Sequence, residues 1–288
     1  MIMSGEITEK IGKSDTIVVG VDGSDASSSA IVWAAREAAL RGLPLRLVHA
    51  VVWSMIDTPM DLAAYGIPRE DLRAGGEAIL AEAADAARAA APGVSVSTHM
   101  EVAGPAGALL TASEDAELLV VGNRGHGGFT GLLVGSTAVQ VTAHATCPVA
   151  VVRPDRPDTG SGPIVVGVDG SPEAGNALTF AVREARLRDC PVEAVYGLDD
   201  DQPADELASA ERLLDKALLE QDAAGVSLTA RVVRRRPTEA LIEATRTASL
   251  VAVGGRGHGG FRGLLFGSVS HALIHHAECP VVIARDGV

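Results

Sequence analysis

The stretch GNRGHGGFTGLLVGS at 122–136 indicates the fold of this chain because the chain contains it twice. Its second copy is GGRGHGGFRGLLFGS at 254–268, and the segment IVVGVDGS stands both at 17–24 and at 164–171. The copies are offset by 147 residues at the VDGS segments and by 132 residues at the glycine-rich loops. Two copies of one domain follow, with the second shorter by 15 residues, most simply at the counterpart of 53–68.

A proline- and glycine-rich segment, PDRPDTGSGP at 154–163, separates the two copies and has the composition of a linker. A chain of 288 residues is long for one domain and comfortable for two. We therefore predict an N-terminal tail at 1–14, a first domain at 15–153, a linker at 154–163 and a second domain at 164–286.

Strand and helix patterns alternate within each copy. Continuous apolar runs such as TIVVGV (16–21) and ELLVVG (117–122) are typical of strands buried on both faces. The alternation predicts an α/β fold of two tandem Rossmann-like, doubly wound domains, each with a five-stranded parallel sheet and helices on both faces. The first helix of each copy has an apolar face with i, i+3, i+4, i+7 spacing, made by Ile31, Ala34, Ala35 and Ala38, and by Leu178, Ala181, Val182 and Ala185.

Composition excludes several classes of partner. A formal charge of −13 argues against binding to nucleic acid or to an anionic membrane surface. No apolar run reaches the ~18 residues of a membrane span, and the first residues do not resemble a signal peptide. The cysteines, Cys147, Cys190 and Cys279, are odd in number and do not form a disulfide framework. We therefore predict a cytoplasmic protein that binds neither nucleic acid nor a membrane.

The repeated motifs fall where such sheets bind ligands, which is beyond the carboxyl ends of the strands at the point where strand order reverses. Asp22 follows the first predicted strand, and Gly122 ends the fourth. A glycine-rich loop brings bare backbone close to a ligand, and Gly135-Ser136-Thr137 begins a helix whose free N–H groups favour an anion. The arrangement predicts a phosphate site.

Two other phosphate motifs fit less well. Gly12-Lys13-Ser14 looks like the end of a P-loop, but Ile7 stands where the first glycine should be, and the tripeptide precedes a strand. Gly255-x-Gly257-x-x-Gly260 has the spacing of a dinucleotide fingerprint, but the first copy has Asn123 in place of its first glycine. The spacing that both copies share is G-x2-G-x9-G-[ST].

With this spacing and the V-D-G-S strand end, the chain resembles the universal stress protein family, in its tandem, ATP-binding branch. The resemblance covers nearly the whole chain. It implies a regulator of a stress or dormancy response that holds one ATP per domain, with Mg²⁺ or Mn²⁺ on the phosphates. It also implies an internal pseudo-dimer in which the domains pair through their fifth strands, and it leaves a homodimer of the whole chain open.

The resemblance further implies a set of ATP-binding residues in each copy, with the aspartates toward the ribose, the end of the second strand at the adenine and the glycine loop on the phosphates. In the first domain they are Val21, Asp22, Ala50, Gly122, Arg124, Gly125, Gly135, Ser136 and Thr137. In the second they are Val168, Asp169, Gly197, Gly254, Arg256, Gly257, Gly267, Ser268 and Val269.

Several residues keep two interpretations. Arg124 and Arg256 either contact phosphate or are solvated, and the same holds more weakly for His126 and His258. Three consecutive arginines, 234–236, either make the second site more positive or are solvated.

Histidines also stand at metal-like spacing, in His144-x-x-Cys147, in His276-x-x-Cys279 and as the helical pair formed by His271 and His275. Structural packing is the favoured interpretation of all of them, because no further ligands stand at the spacing of a structural zinc site.

Spacing alone identifies neither a catalytic residue nor a dedicated base. We therefore predict a nucleotide-binding protein that is not an enzyme. The alternatives left open are a slow ATPase, an adenylyl-transferring enzyme and a cyclic-AMP-binding sensor.

Overall fold

The structure is a computed structural model that describes residues 15–51, 69–125, 134–154, 162–257 and 267–285. The predicted tail, the segment at 53–68 and most of the predicted linker lie outside the described residues. The elements of the first half are β1 (Ile17–Gly20), α1 (Asp25–Arg41), β2 (Leu45–Ala50), α2 (Arg69–Ala90), β3 (Val96–Glu101), α3 (Pro105–Ser113), β4 (Leu118–Gly122), α4 (Ser136–His144) and β5 (Val149–Val152).

The second half repeats this order. Its elements are β6 (Ile164–Gly167), α5 (Pro172–Arg188), β7 (Val192–Leu198), α6 (Ala204–Leu219), β8 (Leu228–Arg234), α7 (Pro237–Ala244), β9 (Leu250–Gly254), α8 (Ser268–His276) and β10 (Val281–Ala284). Ser24 caps α1 by accepting a hydrogen bond from the Ser27 N–H, and Ser171 caps α5 by accepting one from Ala174.

The ten strands of the described residues join one sheet in the order β3-β2-β1-β4-β5-β10-β9-β6-β7-β8. Neighbouring strands are parallel within each half, and β5 pairs with β10 antiparallel, with Val151 opposite Val281. In each half the strand order reverses beside the first strand, as in doubly wound folds. The predicted fold class is therefore confirmed, including the internal pseudo-dimer formed through the fifth strands.

The sheet is covered on both faces, which explains the unbroken apolar runs of the central strands. One core layer packs α1, α2, α5 and α6 against the sheet, and the other packs α3, α4, α7 and α8. The predicted apolar face of α1 lies in the first layer, where Ile31, Ala34, Ala35 and Ala38 are all buried. Small side chains suit this packing because they let helix and sheet backbones approach closely.

A buried ion cluster joins the two halves on the α1/α5 face. We give this name to Glu37, Arg41, Glu184 and Arg188, which pair across the pseudo-twofold axis as Arg41 with Glu184 and Arg188 with Glu37. Each glutamate is 1% exposed. Each guanidinium also lies about 6 Å from an aromatic ring of the other half: Arg41 is 5.8 Å from the Phe180 ring, and Arg188 is 5.9 Å from the Trp33 ring.

Candidate functional site

The first site lies between the carboxyl ends of β1 and β4. Val21 directly follows β1, and its N–H donates to the Val48 carbonyl of β2 at 2.8 Å, which aligns the two strand ends. Asp22 comes next, and its Oδ1 accepts hydrogen bonds from the Ser24 N–H at 3.0 Å and from the Ser24 hydroxyl at 2.6 Å. Gly23 has φ of +81°, a left-handed conformation that glycine adopts readily and that lets the backbone form this tight turn.

The second site repeats this arrangement. The Val168 N–H donates to the Val195 carbonyl at 2.9 Å, and Gly170 has φ of +84°. Asp169 Oδ1 accepts from the Ser171 N–H at 2.9 Å and from the Ser171 hydroxyl at 2.6 Å. In both halves the serine of the V-D-G-S motif therefore caps a helix and also orients the aspartate. The sequence did not reveal that the serine orients the aspartate.

The glycine loop lies directly against the V-D-G-S turn. A Cβ added to Gly125 would collide with Asp22 Oδ2, and one added to Gly257 would collide with Asp169 Oδ2. The first glycine of the loop is equally restricted, because a Cβ on Gly122 would lie 2.7 Å from the Ala26 backbone. Each aspartate thus lies against the loop of its own half, and these glycines are needed for the approach.

The end of the loop is less restricted among the described residues. A Cβ added to Gly135 would have its nearest neighbour, Arg124 Cα, at 3.5 Å, and one added to Gly267 would meet Ser270 Oγ at 3.5 Å. Both are ordinary van der Waals distances, and φ near −75° at both residues suits any side chain. The described residues would therefore accept a methyl group beside these two glycines without a collision.

Helices α4 and α8 begin at the end of each loop. Gly135 and Gly267 are their N-cap residues, and neither helix has a side-chain cap. Gly135 is held by a hydrogen bond from its N–H to the Asn123 carbonyl at 2.8 Å, and Gly267 by the equivalent bond to Gly255 at 3.0 Å. The first N–H groups of both helices have no intrahelical partner, so each loop ends in backbone donors that suit an anion.

The remaining predicted residues lie around this edge. Ala50 ends β2, and Gly197 stands one residue before the end of β7, where a Cβ would collide with Pro237. Arg124 and Arg256 are exposed on the loops. His126 and His258 lie outside the described residues. The predicted hydroxyls of Ser136, Thr137 and Ser268, together with Val269, occupy the first turns of α4 and α8.

The sequence analysis missed a residue of β2 and its counterpart in β7. His49 Nδ1 is 2.7 Å from the Val21 carbonyl. Tyr196 takes the matching position, and the pKa of its phenol is raised by burial and then by the negative charges of Asp169 and Glu206. The alternation of side chains along β2 would have placed His49 on one face of the sheet, but only the structure shows its contact with the strand end.

The two sites differ in the placement of their carboxylates and in their hydroxyl groups. Glu173 of α5 lies against Gly254, with its Cβ 2.7 Å from a Cβ built on that glycine, where the first half has Ala26 against Gly122. Ala174 replaces Ser27, whose hydroxyl accepts from the Asp22 N–H at 3.2 Å. Each helix has one acidic residue in its first turn, the exposed Asp25 in the first half and the half-buried Glu173 in the second, and the second site has fewer hydroxyls.

Comparison with known proteins agrees with this geometry. The model of the family described as "Universal stress protein family" matches residues 13–153 and again residues 161–285. The chain belongs to the universal stress protein family. Two domains of this family follow one another in the chain, each with the V-D-G-S turn and the spaced glycine loop.

Relatives of the same tandem length support the assignment. A universal stress protein of Mycobacterium tuberculosis is 34% identical over 295 residues, covering 95% of this chain and 98% of the relative. One from Mycolicibacterium smegmatis is 33% identical over 284 residues, covering 93% and 96%. A solved universal stress protein from Archaeoglobus fulgidus has a TM-score of 0.72 at 20% identity, covering 96% of this chain and all of its own, which shows the shared fold.

Two findings concern classes of partner. In the parts of the chain that the structure describes, no helix is both long and apolar enough to span a bilayer. The same residues contain no group of three or more histidine, cysteine and acidic side chains arranged to hold a metal ion.

Proposed function

We propose that the chain binds ATP at the carboxyl edge of each half and works as a nucleotide-dependent regulator of a stress or dormancy response in the cytoplasm. The observation that carries this proposal is that each glycine loop lies against its V-D-G-S turn and ends at a helix N-terminus that has no side-chain cap. At each place bare backbone, uncapped helix N–H groups and the turn of an aspartate converge, and these are the groups that recognise a phosphorylated nucleoside.

Different residues would bind the ribose, the adenine and the phosphates of ATP. The carboxylates of Asp22 and Asp169 are fixed by serine hydroxyls and suit the ribose hydroxyls as acceptors. The strand ends at Ala50 and Gly197 offer backbone groups to the adenine. The phosphates would be held by the loop glycines and the first turn of α4 or α8, with Arg124 and Arg256 adding positive charge.

A divalent ion would be held mainly by the phosphates. Mg²⁺ usually keeps several waters and binds through substrate phosphates with one or two carboxylates. The absence of a three-ligand cluster in the described residues is compatible with that mode. When bound, Mg²⁺ or Mn²⁺ would neutralise phosphate charge.

We propose that the binding of ATP, and not its hydrolysis, is the signal. In both halves Oδ1 of the site aspartate accepts two hydrogen bonds from its own turn, an arrangement that holds the carboxylate in place as a ligand. Hydrolysis of ATP in multiple turnover faster than about one event per minute would contradict this role and favour an ATPase or adenylyl-transferring enzyme.

The test is calorimetric titration of the nucleotide-free chain with ATP, ADP and cyclic AMP, together with mass spectrometry of any nucleotide that copurifies. We expect two ATP per chain for the wild type and one for Gly135→Ala or Gly267→Ala, because the added methyl lies where a phosphate oxygen would sit. Loss of two sites by the double substitution, with unchanged folding, supports the assignment. Undiminished ATP binding by the double variant would refute it, and stronger binding of cyclic AMP would favour the cyclic-nucleotide sensor.

A further inference from the structure

Two histidines stand one turn apart on α8 with their rings together. The ring centroids of His271 and His275 are 4.4 Å apart, and the ring planes are inclined by 32°. His271 is exposed and His275 is half-buried. The first half has Val139 and Ala143 at the matching positions, so this pair belongs to the second half alone.

No ion pair accounts for the pair. Among the described residues, no carboxylate lies within 4.0 Å of a ring nitrogen of either histidine. The neighbouring charges are positive, since His276 lies next to His275 and the Arg153 guanidinium donates to the backbone carbonyls of Ile274 and His275. Burial, followed by His271, His276 and Arg153, lowers the pKa of His275.

The ring spacing matches shared coordination of one ion. Zinc–nitrogen bonds are about 2.0–2.1 Å long, so the centroid of a bound imidazole lies about 3.2 Å from the metal. Two such ligands have centroids about 4.5 Å apart at the right angle of a square-planar or octahedral site and about 5.2 Å apart at the angle of a tetrahedral zinc site. The observed 4.4 Å matches the first arrangement, and the second requires the two rings to separate by rotation of their side chains.

We propose that His271 and His275 form a two-histidine site for a divalent transition metal such as Zn²⁺ or Ni²⁺. Imidazole is a preferred ligand of both ions. Water completes the coordination, since the described residues offer no third protein ligand. Neither histidine belongs to the glycine loop or to the V-D-G-S turn, but His271 lies on the first turn of α8, so metal binding is measured without nucleotide.

The test is titration of the nucleotide-free full chain with ZnCl₂ and with NiCl₂, followed by calorimetry and by histidine ring signals in NMR. We expect one metal per chain, with the ring signals of His271 and His275 changing together. His271→Ala and His275→Ala should each weaken binding by at least about tenfold, because one of two protein ligands is lost. His144→Ala, at the exposed end of α4, is the matched control and should bind as the wild type does.

A gain-of-site variant adds an independent check. Val139→His combined with Ala143→His copies the pair onto α4, so the titration should then show a second equivalent of metal. The proposal is overturned if neither ion binds at up to millimolar concentration. It is equally overturned if the wild type binds and both single alanine variants bind equally well, because the metal then lies elsewhere.

Discussion

Arg153 and Arg285 make the same contact in opposite directions across the seam between the two halves. Arg153, which follows β5, donates to the carbonyls of Ile274 and His275 near the end of α8. Arg285, which follows β10, donates to the Thr142 carbonyl near the end of α4. Each half thus supplies a cation to the C-terminal end of a helix of the other half, where unpaired carbonyls and the helix dipole favour positive charge.

We expect Arg153→Ala and Arg285→Ala each to lower the free energy of unfolding by about 1.5–3 kcal/mol, the range for hydrogen bonds that involve a charged group. Chemical denaturation measures the loss. Arg183→Ala is the control, because its pair with Glu117 is half-exposed and worth at most about 1 kcal/mol. Equal effects of all three substitutions would mean that the crossed contacts do not stabilise the seam.

The buried ion cluster should make stability depend on pH. Burial and the neighbouring Glu184 raise the pKa of Glu37 from 4.5 to about 7 despite the two arginines. The folded chain then holds this proton more tightly than the unfolded chain, so the contribution to stability is complete below about pH 4.5 and is lost as pH rises to about 7.

Glu37→Gln should remove this dependence, because the amide does not titrate. The free energy of unfolding of the variant relative to the wild type should therefore rise between about pH 4.5 and about pH 7, by up to about 3 kcal/mol. Denaturation of both proteins at several pH values measures the difference. Parallel pH profiles would show that Glu37 stays ionised in the folded chain.

The two kinds of loop glycine should separate folding from binding. Gly125→Ala places a methyl against Asp22 and should lower the free energy of unfolding by about 1–3 kcal/mol through overpacking. Gly135→Ala should cost about 0.5–1 kcal/mol, because alanine is a poorer N-cap residue than glycine, while weakening ATP binding. Thermal melting with and without ATP distinguishes the two, and the reverse order of stabilities would contradict the loop geometry.

The half-buried carboxylate of Glu173, which stands where the first half has Ala26, should weaken the binding of ATP by the second site. Glu173→Ala should raise the affinity of that site by about fivefold if the repulsion removed is on the order of 1 kcal/mol. The reciprocal change, Ala26→Glu, should lower the affinity of the first site. Titration in low and high salt checks the charge effect, since salt reduces it. Two sites of equal affinity in the wild type, unchanged by Glu173→Ala, would contradict this prediction.

Much of the fold could be predicted because the relevant signals are local. The apolar runs of β1 and β4 and the helical spacing of Ile31, Ala34 and Ala35 report directly which faces are buried. In the candidate site, the positions of the glycine loop and of the V-D-G-S turn could be predicted because both segments occur twice in the chain. His49, Tyr196 and Glu173 were missed, because a single residue in a strand or at a helix start carries no signal of what it contacts.

The sequence by itself determined the duplication, the doubly wound fold and the position of both glycine loops, since these depend on repeats and on periodicity along the chain. Only the tertiary structure decided that Asp22 lies against Gly125, that Glu173 lies against Gly254, and that Arg153 and Arg285 cross the seam. The physical reason is that each of these contacts joins segments from different strands and helices. Their distance depends on how the elements pack, which spacing along the chain does not encode.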